Sequence, residues 1–497
     1  MRLPKLRQAL AGTLAAALLV GCGTSVASDT TPTTSSSSAT TSVVATDGTT
    51  VDDALADNVE VETGDISYDE ADAVAVTLSG SSADSDSDAV TSEDGTVTIS
   101  AAGTYVLSGD LTGQVVVNST GDGVVRLVLD GATITSSTTS AINVVDAASV
   151  VVVLADGSSN SLADAAAYDD TTAEAPTGAL YSTADLTIGG TGSLKVTGNA
   201  NNGIVGKDGL VITGGTIDVT SVDDGIIGKD YLAITDGTIT VDAVGDGIKS
   251  DNTEDAGSGF VLIQGGDITV TTQDDGIKGV QVLVAAGTID VAESNEAMEG
   301  SLIIIDDGDI ELHSADDGVN VSTSDDSAAT DGQGGMGGGM EADTSLHLVI
   351  NGGTLEVWSS GDGLDSNGYS TITGGDIVVY GPTTDGNGAL DVNGAFEITG
   401  GTLVATGSSG MLVAPSTDSA QGWLATALSG TAGAGSEVVI TDADGTEVAA
   451  CTIEKDSASV VFSSADIEQG ATYTVTVDGT STEVMAGVAP AGGRGPM

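Results

Sequence analysis

Basic residues are scarce in this 497-residue chain: 11 Lys and Arg stand against 73 Asp and Glu, a formal net charge of −62. Nucleic acid is thereby excluded as a partner, because a phosphate backbone needs a basic surface. Cys22 and Cys451 are its two cysteines, too few for a disulfide framework. Aromatics make up 3%, and Trp358 and Trp423 are not spaced as a sugar-stacking platform; Trp358, in Leu355-Glu356-Val357-Trp358, can face either side of its strand, with packing preferred to sugar stacking. His313 and His347 lack metal-ligand spacing, and no Ser/His/Asp triad, phosphate loop or Cys/His site appears. No segment is long and apolar enough to span a bilayer, and none follows a helical period.

What the chain does contain is one phrase repeated about every 22 residues between Gly189 and Met411. A Gly-Gly-Thr-Ile-type turn (Gly214-Gly215-Thr216-Ile217, Gly265-Gly266-Asp267-Ile268, Gly352-Gly353-Thr354-Leu355) is followed about ten residues later by Asp-Gly-Ile or a variant. The second phrase runs Asn202-Gly203-Ile204, Asp224-Gly225-Ile226, Asp246-Gly247-Ile248, Asp275-Gly276-Ile277, Asp317-Gly318-Val319 and Asp362-Gly363-Leu364. A fixed period of this size marks a solenoid, in which each repeat buries its apolar face against its neighbours. Short Val/Ile/Thr segments between Gly and Asp read as strands and tight turns. The expected fold is all-β: a right-handed parallel β-helix with a small C-terminal β cap, its handedness following from the twist bias of parallel crossovers.

Arg2, Lys5 and Arg7 precede an apolar stretch, Ala9 to Val20, that ends in Leu19-Val20-Gly21-Cys22. This resembles a bacterial lipobox, with a signal peptide over 1–21 and lipidation of Cys22. The expected organisation continues with a Ser/Thr-rich disordered tether over 22–65 and the β-helix over 66–412. A Gly/Met-rich insertion at about 322–343 interrupts the β-helix. A β capping unit over 413–485 and a disordered tail over 486–497 complete the chain. Glu437 to Ile440, Ser459 to Phe462 and Tyr473 to Val477 are the strands expected in the cap. The expected location is the outer surface of a bacterial membrane, through the lipid alone, as a monomer.

Rungs of a β-helix stack about 4.8 Å apart, so residues at one phase of the repeat form a column. Before the small residue of the second phrase lie Asn202, Asp224, Asp246, Asp275, Glu296, Asp317 and Asp362; two places after it lie Val205, Ile227, Lys249, Lys278, Glu299, Asn320, Asp365 and Asp391. Stacked carboxylates repel unless neutralised. Asp275, Glu296, Glu299, Asp317, Asn320, Asp362, Asp365 and Asp391 are therefore candidate ligands of Ca²⁺, which takes six to eight oxygens. The plainer alternative is that Asp before Gly is a turn residue.

Lys207, Lys229, Lys249 and Lys278 fall on successive rungs beside the same bend. They form either a salt-bridge ladder with Asp208, Asp230, Asp223 or Asp274, worth little per pair at a surface, or a positive stripe for the carboxylates of an acidic polysaccharide. In a lyase, Lys249 or Lys278 would be the base of β-elimination beside Ca²⁺, its pKa lowered by the cation and by burial.

Around Asn201-Asn202-Gly203-Ile204-Val205-Gly206-Lys207-Asp208, Asp223-Asp224-Gly225-Ile226-Ile227-Gly228-Lys229-Asp230 and Gly245-Asp246-Gly247-Ile248-Lys249-Ser250-Asp251-Asn252, the chain resembles the bacterial carbohydrate-binding domain family of polysaccharide-lyase-like β-helix lipoproteins. The likeness extends upstream through Gly103-Thr104-Tyr105-Val106-Leu107-Ser108-Gly109 and downstream to about Gly410. It implies a right-handed β-helix with bound calcium, attachment to cellulose and acidic, pectin-like chains, and no established catalysis. It does not assign individual calcium ligands, because Asp-Gly-Ile recurs. Three functions follow as expectations: a calcium-dependent polysaccharide binder, a calcium-dependent uronate lyase, or a β-helix serving as a stalk.

Overall fold

The period becomes a rung of three strands. A computed structural model describes residues 49–172, 175–323 and 342–490; the signal peptide, Cys22 and most of the Gly/Met-rich insertion lie outside them. From Val74–Gly80 to Thr402–Gly407 the strands stack in parallel, one rung on the next. A 13-stranded sheet carries one face. A 26-stranded sheet carries the other two, as a first strand column (Leu186–Gly190, Gly209–Ile212, Tyr231–Ile234 and onward) and a second (Ser193–Gly198, Thr216–Ser221, Thr238–Asp242 and onward). The chain is all-β, with long parallel sheets as the repeat requires.

Register on the 13-stranded face follows the repeat phase. Ile204, Ile226, Ile248, Ile277, Met298, Val319, Leu364 and Leu390 are successive partners, and each is at most 1% exposed. Leu180 pairs with Ile142 and with Ile204, so the degenerate early phrases join the same stack. The small residue before each of these is set by close approach. A Cβ on Gly225 would meet Val241 Cγ1 at 2.3 Å and the Gly247 carbonyl oxygen at 2.5 Å.

Second-column strands alternate, as in Thr216–Ser221, where Ile217 and Val219 point inward. First-column strands do not: Leu302–Ile305 is buried throughout. Their outward residues Val211, Ala233, Leu262, Leu283, Ile304 and Val349 are covered by Val51, Ala54, Leu55, Val59 and Val61. This corrects the tether expected over 22–65, whose last part lies on the sheet. Thr50 caps a short helix, Val51–Leu55, in a reciprocal capping box with Asp53. The Val51 amide donates to Asp306 Oδ2 at 2.9 Å and Asn351 Nδ2 to the Thr49 carbonyl at 2.9 Å. Burial on both sides explains why these strands read as continuous apolar runs.

Beyond the last rung, Ser457–Ser463 pairs antiparallel with both Thr402–Gly407 and Trp423–Ala432. Ser459 to Phe462 therefore extends the large sheet and does not belong to the small unit expected to hold it. That unit is a four-stranded antiparallel sheet of Ser436–Thr441, Glu447–Ile453, Thr472–Val477 and Thr480–Met485.

Candidate functional site

Ile227, Lys249, Lys278, Glu299, Asn320, Asp365 and Asp391 are partners on successive strands of the 13-stranded face. Their buried neighbours alternate with them, so these side chains share the outer side of the sheet. Beside them the acids that precede the small residues form a second ladder through the backbone. Asp224 Oδ1 accepts the Asp246 amide at 2.8 Å, Asp246 Oδ1 the Asp275 amide at 3.3 Å, Asp317 Oδ1 the Asp362 amide at 2.6 Å and Asp362 Oδ1 the Gly388 amide at 2.5 Å. Part of the column thus holds the bend between rungs, which is the turn role weighed against metal binding.

A cleft of about 870 Å³ opens along these columns, lined by Asp246, Lys249, Asp274, Asp275, Lys278, Glu296, Glu299, Asn320 and Asp365 among others. Asp275, Glu296 and Glu299 bring carboxylate oxygens within 4.8 Å of one another, as do Asp246, Asp274 and Asp275. Three of the eight expected ligands are therefore gathered tightly. Asn320 adjoins them, its Nδ2 donating to Glu296 Oε2 at 2.8 Å. Asp365 lies further along the cleft, while Asp317, Asp362 and Asp391 are not among its lining residues. Asp246 and Asp274 were not expected as ligands; the Asp-Asp-Gly doublet at 274–276 carried the signal for Asp274, while Asp246 stands in Gly245-Asp246-Gly247 within the column itself.

The two lysines in the column are already engaged. Lys249 Nζ lies 2.8 Å from Asp246, 3.5 Å from Asp224 and 3.8 Å from Asp251. Lys278 Nζ lies 2.6 Å from Asp275 and also contacts Glu299. These partners differ from those expected for a surface ladder. Burial lowers both ammonium pKa values, but the surrounding acids, Asp246 first for Lys249 and Asp275 first for Lys278, outweigh it and hold both above the ordinary value. The lowered pKa required of an eliminating base is thus reversed. Lys207 and Lys229 sit two places beyond this column; they line no part of the cleft, and their amides donate to the carbonyls of Ser182 and Gly206. Four lysines on successive rungs therefore do not make one stripe.

Burial dominates the acid titrations. It pushes Asp275 up to about 8, Glu296 to about 7 and Asp362 to about 7. It also raises Asp317 to about 6. Asp365 is held well above the carboxylate range by burial and then by Asp317, Asp362, Asp391 and Glu296. Glu299 goes the other way: burial works against its charge, but hydrogen bonds from Asp275 and Lys278 outweigh it. Asp275 and Glu299 thus shift in opposite directions, with Lys278 in contact with both. Asn320 Oδ1 is buried without a hydrogen-bond partner among the described residues. Carboxylate and amide oxygens are the donors a hard cation such as Ca²⁺ takes, so the residues present fit it.

An all-β stack of parallel rungs with an acid-lined cleft defines a class of repeat protein. Residues 93–386 match the family of carbohydrate-binding domain-containing proteins, and the chain belongs to it. A carbohydrate-binding domain-containing protein of Acetivibrio thermocellus is 46% identical over 188 residues, 37% of this chain and 66% of the relative. The match therefore spans just under two thirds of that relative's length. The solved structure of a polysaccharide lyase-like protein from C. thermocellum, a gadolinium derivative, is 32% identical with a TM-score of 0.41, covering 48% of this chain and 96% of that one.

Proposed function

We propose that the chain is a polysaccharide-binding protein that holds acidic, pectin-like or cellulosic glycans at the acid-lined cleft, in a calcium-dependent way and without cleaving them. The observation that carries this reading is the convergence of Asp275, Glu296 and Glu299 within 4.8 Å in an open cleft. Membership of a carbohydrate-binding family supports the partner class. Asp275, Glu296, Glu299 and the Asn320 amide oxygen would hold the ion. Bound there, Ca²⁺ would neutralise the carboxylates and bridge to a glycan's own carboxylate. A surface carrying −62 would otherwise repel such a polymer.

Binding is favoured over elimination because Lys249 and Lys278 are held protonated by their acids. The same reading includes a lipid anchor at Cys22 and an outer-surface location, a right-handed coil, and a C-terminal unit that caps the last rung. Retention on immobilised polygalacturonate, with and without chelator, tests it. Binding should fall on chelation and in Asp275→Asn with Glu296→Gln. Formation of unsaturated uronate products would instead establish a lyase, and no retention on any glycan would leave a stalk.

A further inference from the structure

Away from the cleft, the outer side of the second strand column carries a ladder of rings. His313, Trp358 and Tyr380 are register partners on consecutive strands. Their centroids are 5.8 Å apart at 10° for His313–Trp358 and 4.3 Å apart at 41° for Trp358–Tyr380. Trp358 Nε1 donates to Glu356 Oε1 at 2.8 Å, and His313 Nε2 lies 2.9 Å from Glu311 Oε1, which ties both rings in place. Of the two sides left open for it, Trp358 therefore takes the outer one, packed between His313 and Tyr380. The ladder is shielded at Tyr380, 8% exposed, and open at His313, whose side chain is 38% exposed. On the preceding rung the pairing ends at Val291, the partner of Leu312, and the chain then bulges through Ala292, small and exposed. A pocket of about 520 Å³ opens there, lined by Thr272, Ala292, His313, Trp358 and Lys455 among others.

Lys455 is the second, independent observation. Its Nζ donates to the Ser359 carbonyl and, at 3.4 Å, to the Tyr380 carbonyl. Among the described residues no carboxylate forms an ion pair with it, although the chain carries 73 acids. Burial alone lowers its pKa, with no acid opposing the effect. An ammonium has three donors, so one remains for a ligand. Lys249 and Lys278, by contrast, are occupied by the protein's own acids.

We propose that this pocket is a second sugar subsite for an acidic oligosaccharide, which stacks one hexuronate ring on the open end of the ladder and takes the carboxylate of another residue of the same oligomer at Lys455, two rungs further on. Rungs about 4.8 Å apart put the two positions about 10 Å from each other, the span of an oligomer and not of one ring. The apolar C–H face of that ring would lie on the negative face of the aromatic system, and the carboxylate would form a charge-assisted hydrogen bond with the ammonium. This rests on the chain binding glycans, but requires neither the cleft nor a metal.

Tryptophan fluorescence reads the pocket selectively, because Trp423 is fully buried and Trp358 lies at the site. The full chain, stripped with EDTA and titrated with a short galacturonate oligomer, should show a saturable change. Lys455→Gln should weaken it about tenfold, the worth of one charge-assisted hydrogen bond, and His313→Ala should abolish it, both with the wild-type circular dichroism spectrum. A gluco-oligosaccharide of equal length should bind about tenfold more weakly. No saturable change in the wild type, an equal response from Lys455→Gln, or equal affinity for the neutral sugar would each overturn the assignment. A fluorescence response in EDTA with polymer retention lost would separate this subsite from the cleft; no response in EDTA with retention restored by Ca²⁺ would overturn the subsite alone, and no retention with Ca²⁺ present would remove the glycan-binding reading itself.

Discussion

Lys249 and Lys278 are direct partners on adjacent parallel strands, two like charges side by side in a column. Each is held by an acid of its own rung and one of a neighbouring rung, with side chains only 20% and 22% exposed. The lysines are thus internal counter-ions of the acid columns, and their removal should expose the charge they neutralise.

Lys278→Met leaves Asp275 and Glu299 buried without their cation. Breaking a buried pair by removing one partner costs about 3 kcal/mol. Chemical denaturation in EDTA should show a loss of this size, and Ca²⁺ should restore part of it by replacing the lost positive charge. A loss under about 0.5 kcal/mol, the range of ordinary surface substitutions, would show the pair to be solvated.

The acid pKa values give stability a pH slope. Asp275, Glu296 and Asp362 bind protons more tightly folded than unfolded, so their contribution is complete below the unfolded carboxylate range and is lost as pH rises to about 8, about 7 and about 7. Metal-free protein should therefore lose stability between about pH 4 and pH 8 from these groups. Calcium should raise the thermal midpoint more at pH 8 than at pH 5, because protons no longer compete for the same oxygens. Equal gains at both values would count against these carboxylates as ligands.

The strap at 49–66 should be part of the folded unit. Deleting it uncovers the apolar outer faces of Ala233, Phe260, Leu262 and Ile304, and should produce binding of a hydrophobic dye and association between molecules. Val51→Ala should cost about 1.5 kcal/mol for two buried carbon groups. A deletion variant as stable and monodisperse as the full chain would refute the covering role.

The column arithmetic was legible because a fixed period sets register: Val205 through Asp391 stack in the order that the repeat phase assigns. The Ile204-to-Leu364 interior was legible for the same reason. Phase alone does not say what a side chain reaches. Lys207 and Lys229 lie on the right rungs but two places past the column, and Asp317 and Asp362 spend an oxygen on the backbone of the next rung. The side of Trp358 was left open by the sequence because its partners, His313 and Tyr380, are neighbours only after 45-residue and 22-residue separations collapse onto adjacent strands. The strap was hidden because its apolar residues are too few to mark a strand, and the continuous runs it covers, such as Leu302–Ile305, look the same whatever buries them.

Calorimetric titration of Ca²⁺ into EDTA-stripped protein, followed by polygalacturonate into the loaded protein, tests the central claim most directly. The account predicts saturable calcium binding, lost in Asp275→Asn with Glu296→Gln, and polymer binding that requires the ion. Absence of calcium binding in folded protein, or polymer binding indifferent to calcium and to these two substitutions, would contradict it.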